Sequence, residues 1–253
     1  MRLGQSFSSV GGIVSFAKKI SPRALYIQVR DHLAQQIAEG TLKPGSHLPS
    51  ELEFADLLGV SLGTVRKALE ALESERLITR RQGRGTFVRD HAADTGLTFD
   101  NLRTKDGQSI PFTVQFLSAA SERASAEEQE RLGLETSELV ARCRLVRHHV
   151  GPYLFERMSL AVSRFSGLDS AELKGPYQLP VLAQDHGVLV GSASESVEVA
   201  RASTEISALL AVDPETPLLR LDRIIHSLDH VPLEWRIGYC RLADVKYVTT
   251  LRP

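Results

Sequence analysis

Apolar residues follow two different periods along this chain of 253 residues. In the first part they recur every three to four positions, the period of a helix with one buried stripe. Tyr26, Val29, Leu33 and Ile37 mark such a stripe over residues 22–39, and Gly40 ends it. Phe54, Leu57 and Leu58 mark a second stripe behind Ser50-Glu51-Leu52-Glu53, the pattern in which a serine oxygen and a glutamate three residues on cap each other's amides. Gly59 stops that helix, and Val65, Leu69 and Leu72 carry a third stripe over residues 59–75, with Ser61 placed to cap it. Thr64, Arg66 and Lys67 are then left at its exposed amino end. Residues 77–81 and 86–89 are short β-prone runs around Gln82-Gly83-Arg84-Gly85 and predict a hairpin.

From residue 99 the period changes toward two. Residues 112–118 predict a strand, residues 139–150 and 153–162 a hairpin over Gly151-Pro152, and residues 177–186 a helix despite Pro180. Residues 188–201 predict another strand, and residues 218–228 pair with 231–242 across Asp229-His230. A shift of 78 residues sets Glu127 on Glu205, Leu132 on Leu210, Arg142 on Arg220, His148 on His226 and Glu156 on Glu234 without a gap. That repeat predicts a pseudo-twofold domain with Glu156 and Glu234 in related positions. The expected class is an α/β multidomain protein. A flexible tail (residues 1–21) precedes a helical domain ending in a hairpin (22–90), a polar linker (91–98) and an α+β antiparallel-sheet domain (99–253).

Composition narrows the function classes. A hydrophobic content of 42% excludes general disorder. No apolar run reaches the roughly 20 residues a membrane helix needs. The apolar stretch 10–17 is followed by Lys18 and Lys19 where a signal peptide would have its cleavage site, so no membrane partner is expected. Two cysteines, Cys143 and Cys240, suit a reduced, cytoplasmic (nucleoid-associated) setting. The formal net charge of −1 hides an asymmetry: residues 1–93 hold 13 Lys+Arg against 9 Asp+Glu, and the remainder 17 against 22. A basic front and an acidic back suggest that only the front meets a polyanion.

Two helices joined by the tight Gly59-Val60-Ser61 turn, the second with cations at its exposed amino end, have the form of a helix-turn-helix. The alternative for that helix alone is an amphipathic helix with a solvated basic face. The hairpin behind it, with Arg84 at its tip, is placed as a minor-groove wing would be. Leu48-Pro49-Ser50-Glu51, Gly59-Val60-Ser61, Thr64-Val65-Arg66-Lys67-Ala68-Leu69, Leu77-Ile78 and Gly83-Arg84-Gly85-Thr86-Phe87-Val88 together resemble the winged helix of the GntR family of bacterial transcription regulators. The resemblance implies a homodimer on a roughly palindromic double-stranded DNA operator. It implies base reading by Arg66, neighbouring contacts from Ser50, Ser61, Thr64 and Lys67, and a wing of Arg81, Gln82, Gly83 and Arg84. Leu52 stands where many members carry a phosphate-contacting arginine, and Leu62 with Gly63 replaces another arginine and a polar residue. A shifted operator preference and a shallower salt dependence are therefore expected.

The second half is similar to the UTRA effector-binding domain of the HutC branch of that family, a fold shared with chorismate lyase. The match is carried by Leu218-Leu219-Arg220-Leu221-Asp222-Arg223, Pro232-Leu233-Glu234-Trp235-Arg236, Tyr239-Cys240-Arg241, Arg142-Cys143-Arg144 and Phe155-Glu156-Arg157. It implies a small anionic metabolite, a sugar phosphate or carboxylate, held by Ser109, Arg142 and Arg144 with Glu156 and Glu234 on its hydroxyls. Two arginines at i and i+2 share one strand face and suit an oxyanion, although the same spacing also describes a solvated face. No cofactor is expected, and His148, His149 and His186 have no metal-ligand spacing. The alternatives are a lyase-like enzyme tethered to DNA and a ligand-independent architectural DNA binder.

Overall fold

The fold is that of a computed structural model, which describes residues 23–90, 101–165, 168, 173, 179–243 and 245–249. The predicted tail, the linker and the first positions of the helix expected at residue 177 lie outside the described residues. The chain divides into two compact units, the first ending at Thr95 and the second starting at Gly96.

The first unit is built from α1 (Leu25–Ala38), α2 (Glu51–Leu58), α3 (Leu62–Ser74) and the hairpin β1 (Ile78–Arg81) and β2 (Gly85–Val88). Val29, Leu33, Ile37, Phe54, Leu58, Val65, Leu69 and Leu72 are all buried, as their spacing requires. Leu57 is the exception. It stands 57% exposed, and Ala55 takes the inward position instead, because an eight-residue helix has room for only one narrow buried face. Ser50 and Glu53 form the predicted reciprocal cap, and Gly59 ends α2 in the left-handed conformation with φ 63°. The incoming loop joins the wing. Leu48 N donates to Thr86 O, Gly45 N to Val88 O, and the His47 ring meets Phe87 edge-on. A Cβ on Gly85 would come 2.2 Å from His47 Nε2, so only glycine fits there.

The second unit carries β3 (Leu102–Thr104), β4 (Thr113–Arg123), α4 (Ala126–Leu132), β5 (Leu139–His148), β6 (Pro152–Ala161), α5 (Leu179–Asp185), β7 (Val190–Arg201), α6 (Thr204–Leu210), β8 (Pro217–Ser227), β9 (Pro232–Cys240) and β10 (Val245–Tyr247). Six strands form one antiparallel sheet in the order β4-β5-β6-β9-β8-β7, and β3 pairs with β10 apart from it. The repeat is a structural one. Each copy runs strand, short helix, hairpin, and the two copies join along β6 and β9. Met158 and Arg236 are partners in that register and are also 78 residues apart, so the pseudo-twofold axis passes through this pair. Ser125 and Ser203 cap α4 and α6 alike, and Gly133 and Ala211 end them alike with φ 62° and 50°. Leu132 of α4 packs with Trp235 and Ile237, while Ile206 and Leu210 of α6 pack with Phe155 and Val146. Each helix thus covers a strand of the other copy, which ties the two halves into one core.

Candidate nucleic-acid interface and effector pocket

The amino end of α3 is assembled by its own cap. Ser61 Oγ accepts from the Thr64 amide at 3.2 Å and lies 2.8 Å from Thr64 Oγ1. This fixes the first turn and leaves Arg66 and Lys67 exposed. Arg66 is not idle. Its Nε and Nη2 both lie 3.1 Å from Glu51 Oε2, and the other Glu51 oxygen is 3.5 Å from Arg80, which also meets Glu73 at 3.4 Å. One carboxylate at the start of α2 therefore gathers cations from α3 and β1. The sequence gives Glu51 no role beyond its place in two motifs, because a glutamate beside an N-cap needs no reason beyond the helix dipole. Ser50 is exposed with its hydroxyl committed to the Glu53 amide. That cap holds the Glu53 carboxyl below its usual range, chiefly through the Ser50 amide. Arg81, Gln82, Gly83 and Arg84 are all exposed on the wing, with Arg81 lying 5.2 Å above the Phe87 ring centroid. Leu52 and Leu62, at the two sites that depart from arginine, are 64% and 40% exposed.

In the second unit the five predicted effector residues do not converge. Residues opposite one another in an antiparallel register share a face. Arg142 and Arg144 pair with Ser159 and Arg157 and lie on the face that α4 and α6 cover. Glu156 pairs with Leu145 and Gly238, Glu234 with Leu160 and Ile225, and both point to the other face. Ser109 is exposed and bridges to Arg103 of β3. The expectation of a single site combining Arg142 and Arg144 with Glu156 and Glu234 is therefore corrected: the sheet itself stands between them.

The face that holds the glutamates carries a buried charged cluster. Glu156 Oε2 accepts from Arg147 Nε at 2.6 Å and Glu156 Oε1 from Arg236 Nη1 at 3.3 Å, while Arg236 Nε donates to Glu234 at 2.6 Å. Arg223 Nε donates to Glu195 at 2.8 Å, and Glu195 also accepts from Asn101 and from the Tyr247 hydroxyl. Burial alone would push the Glu156 carboxyl up, but Arg147, Arg236 and Arg223 together hold it below its usual range, so it stays ionised. Burial and Glu195 raise the Tyr247 phenol, which keeps that hydroxyl a donor. Arg147, Glu156, Glu195, Arg223 and Arg236, with Leu102, Leu154, Leu221 and Gly238, line a recess of about 10 Å³, room for one water. Leu102 of β3 lines it, and Asn101 and the Tyr247 hydroxyl of β10 donate to Glu195 at its edge. The pseudo-symmetry breaks here. The mates of Arg147, Arg223 and Arg236 in the other copy are Ile225, Leu145 and Met158. One half of this face is thus a polar pocket and the other an apolar core, which includes Cys143, Leu145, Met158 and Ile225. Burial pushes the Cys143 thiol up to about 11, so it stays protonated. Arg147, Arg223, Arg236 and Glu195 were missed from sequence.

A capped helix with exposed cations at its amino end beside a wing, followed by a separate sheet domain with a buried charged cluster, is the form of a DNA-binding regulator. Residues 25–88 match the bacterial regulatory proteins of the gntR family, and residues 108–246, more than half of the chain, match the UTRA domain. The chain belongs to this family, as a transcriptional regulator of GntR/UTRA type. It is 25% identical over 230 residues to the probable fructoselysine utilization operon transcriptional repressor of Escherichia coli K12, covering 90% of this chain and 95% of that one. It is 30% identical over 233 residues to the transcriptional regulator Rv0792c of Mycobacterium tuberculosis, covering 88% and 84%. Among solved structures, the ligand-binding domain of a GntR-family regulator from Bordetella bronchiseptica matches with a TM-score of 0.55 and 28% identity over 60% of this chain and 96% of that one. These relatives are regulators rather than enzymes, which sets the lyase-like alternative aside. No helix among the described residues is long and apolar enough to cross a membrane.

Proposed function

We propose that this regulator is a repressor that holds a roughly palindromic operator as a homodimer and releases it when a small anionic metabolite enters the Arg147-Glu156-Arg236 pocket. Repression is favoured by the repressor named among its relatives. The observation that carries the effector reading is the burial of Glu156, Glu234, Arg223 and Arg236, with Arg147 and Glu195 half-buried beside them, next to Leu102 of β3, the first described strand after the linker region. Desolvating that many charges is costly even when they are paired, so such a cluster is a candidate for a role beyond stability. A ligand larger than one water would have to exchange ion pairs and displace Leu102 and its neighbours in β3. Because β3 continues from the linker, that displacement would reset the spacing of two winged helices that must meet half-sites about 34 Å apart. A coupling of about 1 to 3 kcal/mol, roughly 5- to 150-fold in operator affinity, is expected.

The test uses the full chain and a labelled DNA fragment from upstream of its own gene, titrated with sugar phosphates, hydroxy acids and amino-sugar phosphates. Release by one class, lost in Glu156→Gln while operator binding persists, supports the reading. Unchanged operator affinity across the whole panel removes the effector role. A monomer on a single half-site removes the homodimer.

A further inference from the structure

The first turn of α3 leaves an apolar side chain uncovered. Leu62 stands three residues before Val65 and seven before Leu69, a spacing that would add it to the buried stripe. Val65 and Leu69 are 0% and 1% exposed, but Leu62 is 40% exposed. The two hydroxyls of that turn are engaged with each other, Ser61 Oγ lying 2.8 Å from Thr64 Oγ1 and accepting from the Thr64 amide. We propose that Leu62 is a base reader, selecting a thymine through its C5 methyl group beside the base pair that Arg66 reads. This role rests on α3 being the recognition helix, and it names what the first turn of that helix recognises.

The chemistry of base edges limits what a leucine can read. In the major groove the base pairs present donors and acceptors, and the thymine methyl is the one apolar group among them. A leucine set against guanine or adenine strips water from N7 and its neighbour without supplying a hydrogen bond, which costs affinity. Against thymine it buries a methyl group, which adds affinity. An arginine at this position, as many members of the family carry, would instead suit the two acceptors of guanine. Position and reach agree with a thymine reader. Leu62 and Arg66 are one turn apart on one face of α3, and helical side chains lean toward the amino end, so the two serve neighbouring base pairs. Leucine is shorter than arginine, so the turn has to come closer to the base edges. Gly63 gives that room. It is exposed, and even an added Cβ would meet nothing nearer than Ser61 Oγ at 3.9 Å, so its space opens outward rather than onto the chain.

Full-length protein is used to select duplexes from random-sequence DNA. The enriched site is resynthesised with deoxyuridine in place of each thymine in turn, which removes only the methyl group, and affinity is read by anisotropy. One thymine in each half-site, next to the base pair whose preference relaxes in Arg66→Ala, should respond. Its replacement should weaken the parent about three- to fivefold per methyl group and leave Leu62→Ala unaffected. Leu62→Arg should prefer guanine at the same position. Leu62 is on the surface, and thermal unfolding confirms that both variants are folded. Indifference of the parent to every deoxyuridine, or the same loss in Leu62→Ala, would overturn the role of Leu62 while leaving α3 as the reader. A selection that enriches no sequence would remove the reading role of α3 itself, and that of Leu62 with it.

Discussion

Arg66 shows how far a single side chain can be read. Its place at the fifth position of α3 makes it the base-reading candidate, and its exposure agrees with that role. What the sequence hides is the competitor. Glu51 holds Arg66 and lies near Arg80, so DNA must displace a carboxylate to engage them. Glu51→Gln should therefore raise affinity for unrelated DNA and narrow the gap between operator and non-operator, measured by anisotropy at fixed salt. A fall in both affinities would mean that Glu51 positions Arg66 rather than competing for it. Glu128 gives a second residue-scale prediction. Burial alone would raise its carboxyl, but Arg142, the Ser125 amide and Ser159 bring it down to about 2 from an ordinary 4.5. A depressed carboxylate contributes stability that is complete above the ordinary value and is lost as pH falls toward the depressed one. Glu128→Gln should cost on the order of 2 to 3 kcal/mol at neutral pH, with the deficit shrinking between about 4.5 and 2. Urea unfolding across that range measures it, and a deficit independent of pH would assign the loss to packing.

At the scale of elements, the repeat makes each copy a control for the other. Gly133 and Ala211 occupy the same left-handed position after α4 and α6, and only the first has no Cβ to strain. Ala211→Gly should stabilise the protein by about 0.5 to 1 kcal/mol, seen as a higher urea midpoint with an unchanged slope. No gain would mean that the greater freedom of glycine in the unfolded chain cancels the relief. Much of this level was legible in advance. The capping box at Ser50, the left-handed glycine after α2, the wing and both long hairpins follow from local chemistry. Leu57 was misread because periodicity alone does not say which of two adjacent leucines a short helix turns inward. The division of the effector residues was also within reach. A turn centred on Gly151-Pro152 pairs even positions of one strand with odd positions of the other, so Glu156 belongs with Arg147 and not with Arg142 or Arg144. Motif likeness to a family pointed to the i and i+2 pair and outweighed that parity.

For the whole molecule, the exposed Leu52 and Leu62 set the terms on which a dimer would hold DNA. If residue 52 faces the DNA backbone, an arginine there would add one phosphate contact per protomer, and counterion release makes affinity fall with salt in proportion to such contacts. Leu52→Arg should steepen the slope of log affinity against log salt by about one unit per protomer. An unchanged slope would place residue 52 away from the backbone. The sequence by itself determined the two-domain order, the helix-turn-helix with its wing, the strand pairs and the internal repeat, because each rests on local periodicity, capping and turn chemistry within a few tens of residues. Only the tertiary structure decided which charges meet. Strand order brings Arg223 and Arg236 to Glu156 and Glu195 across long separations, while the sheet puts Arg142 and Arg144 on the face away from Glu156. A buried ion pair depends on register and face, and both are fixed only when distant strands close into one sheet.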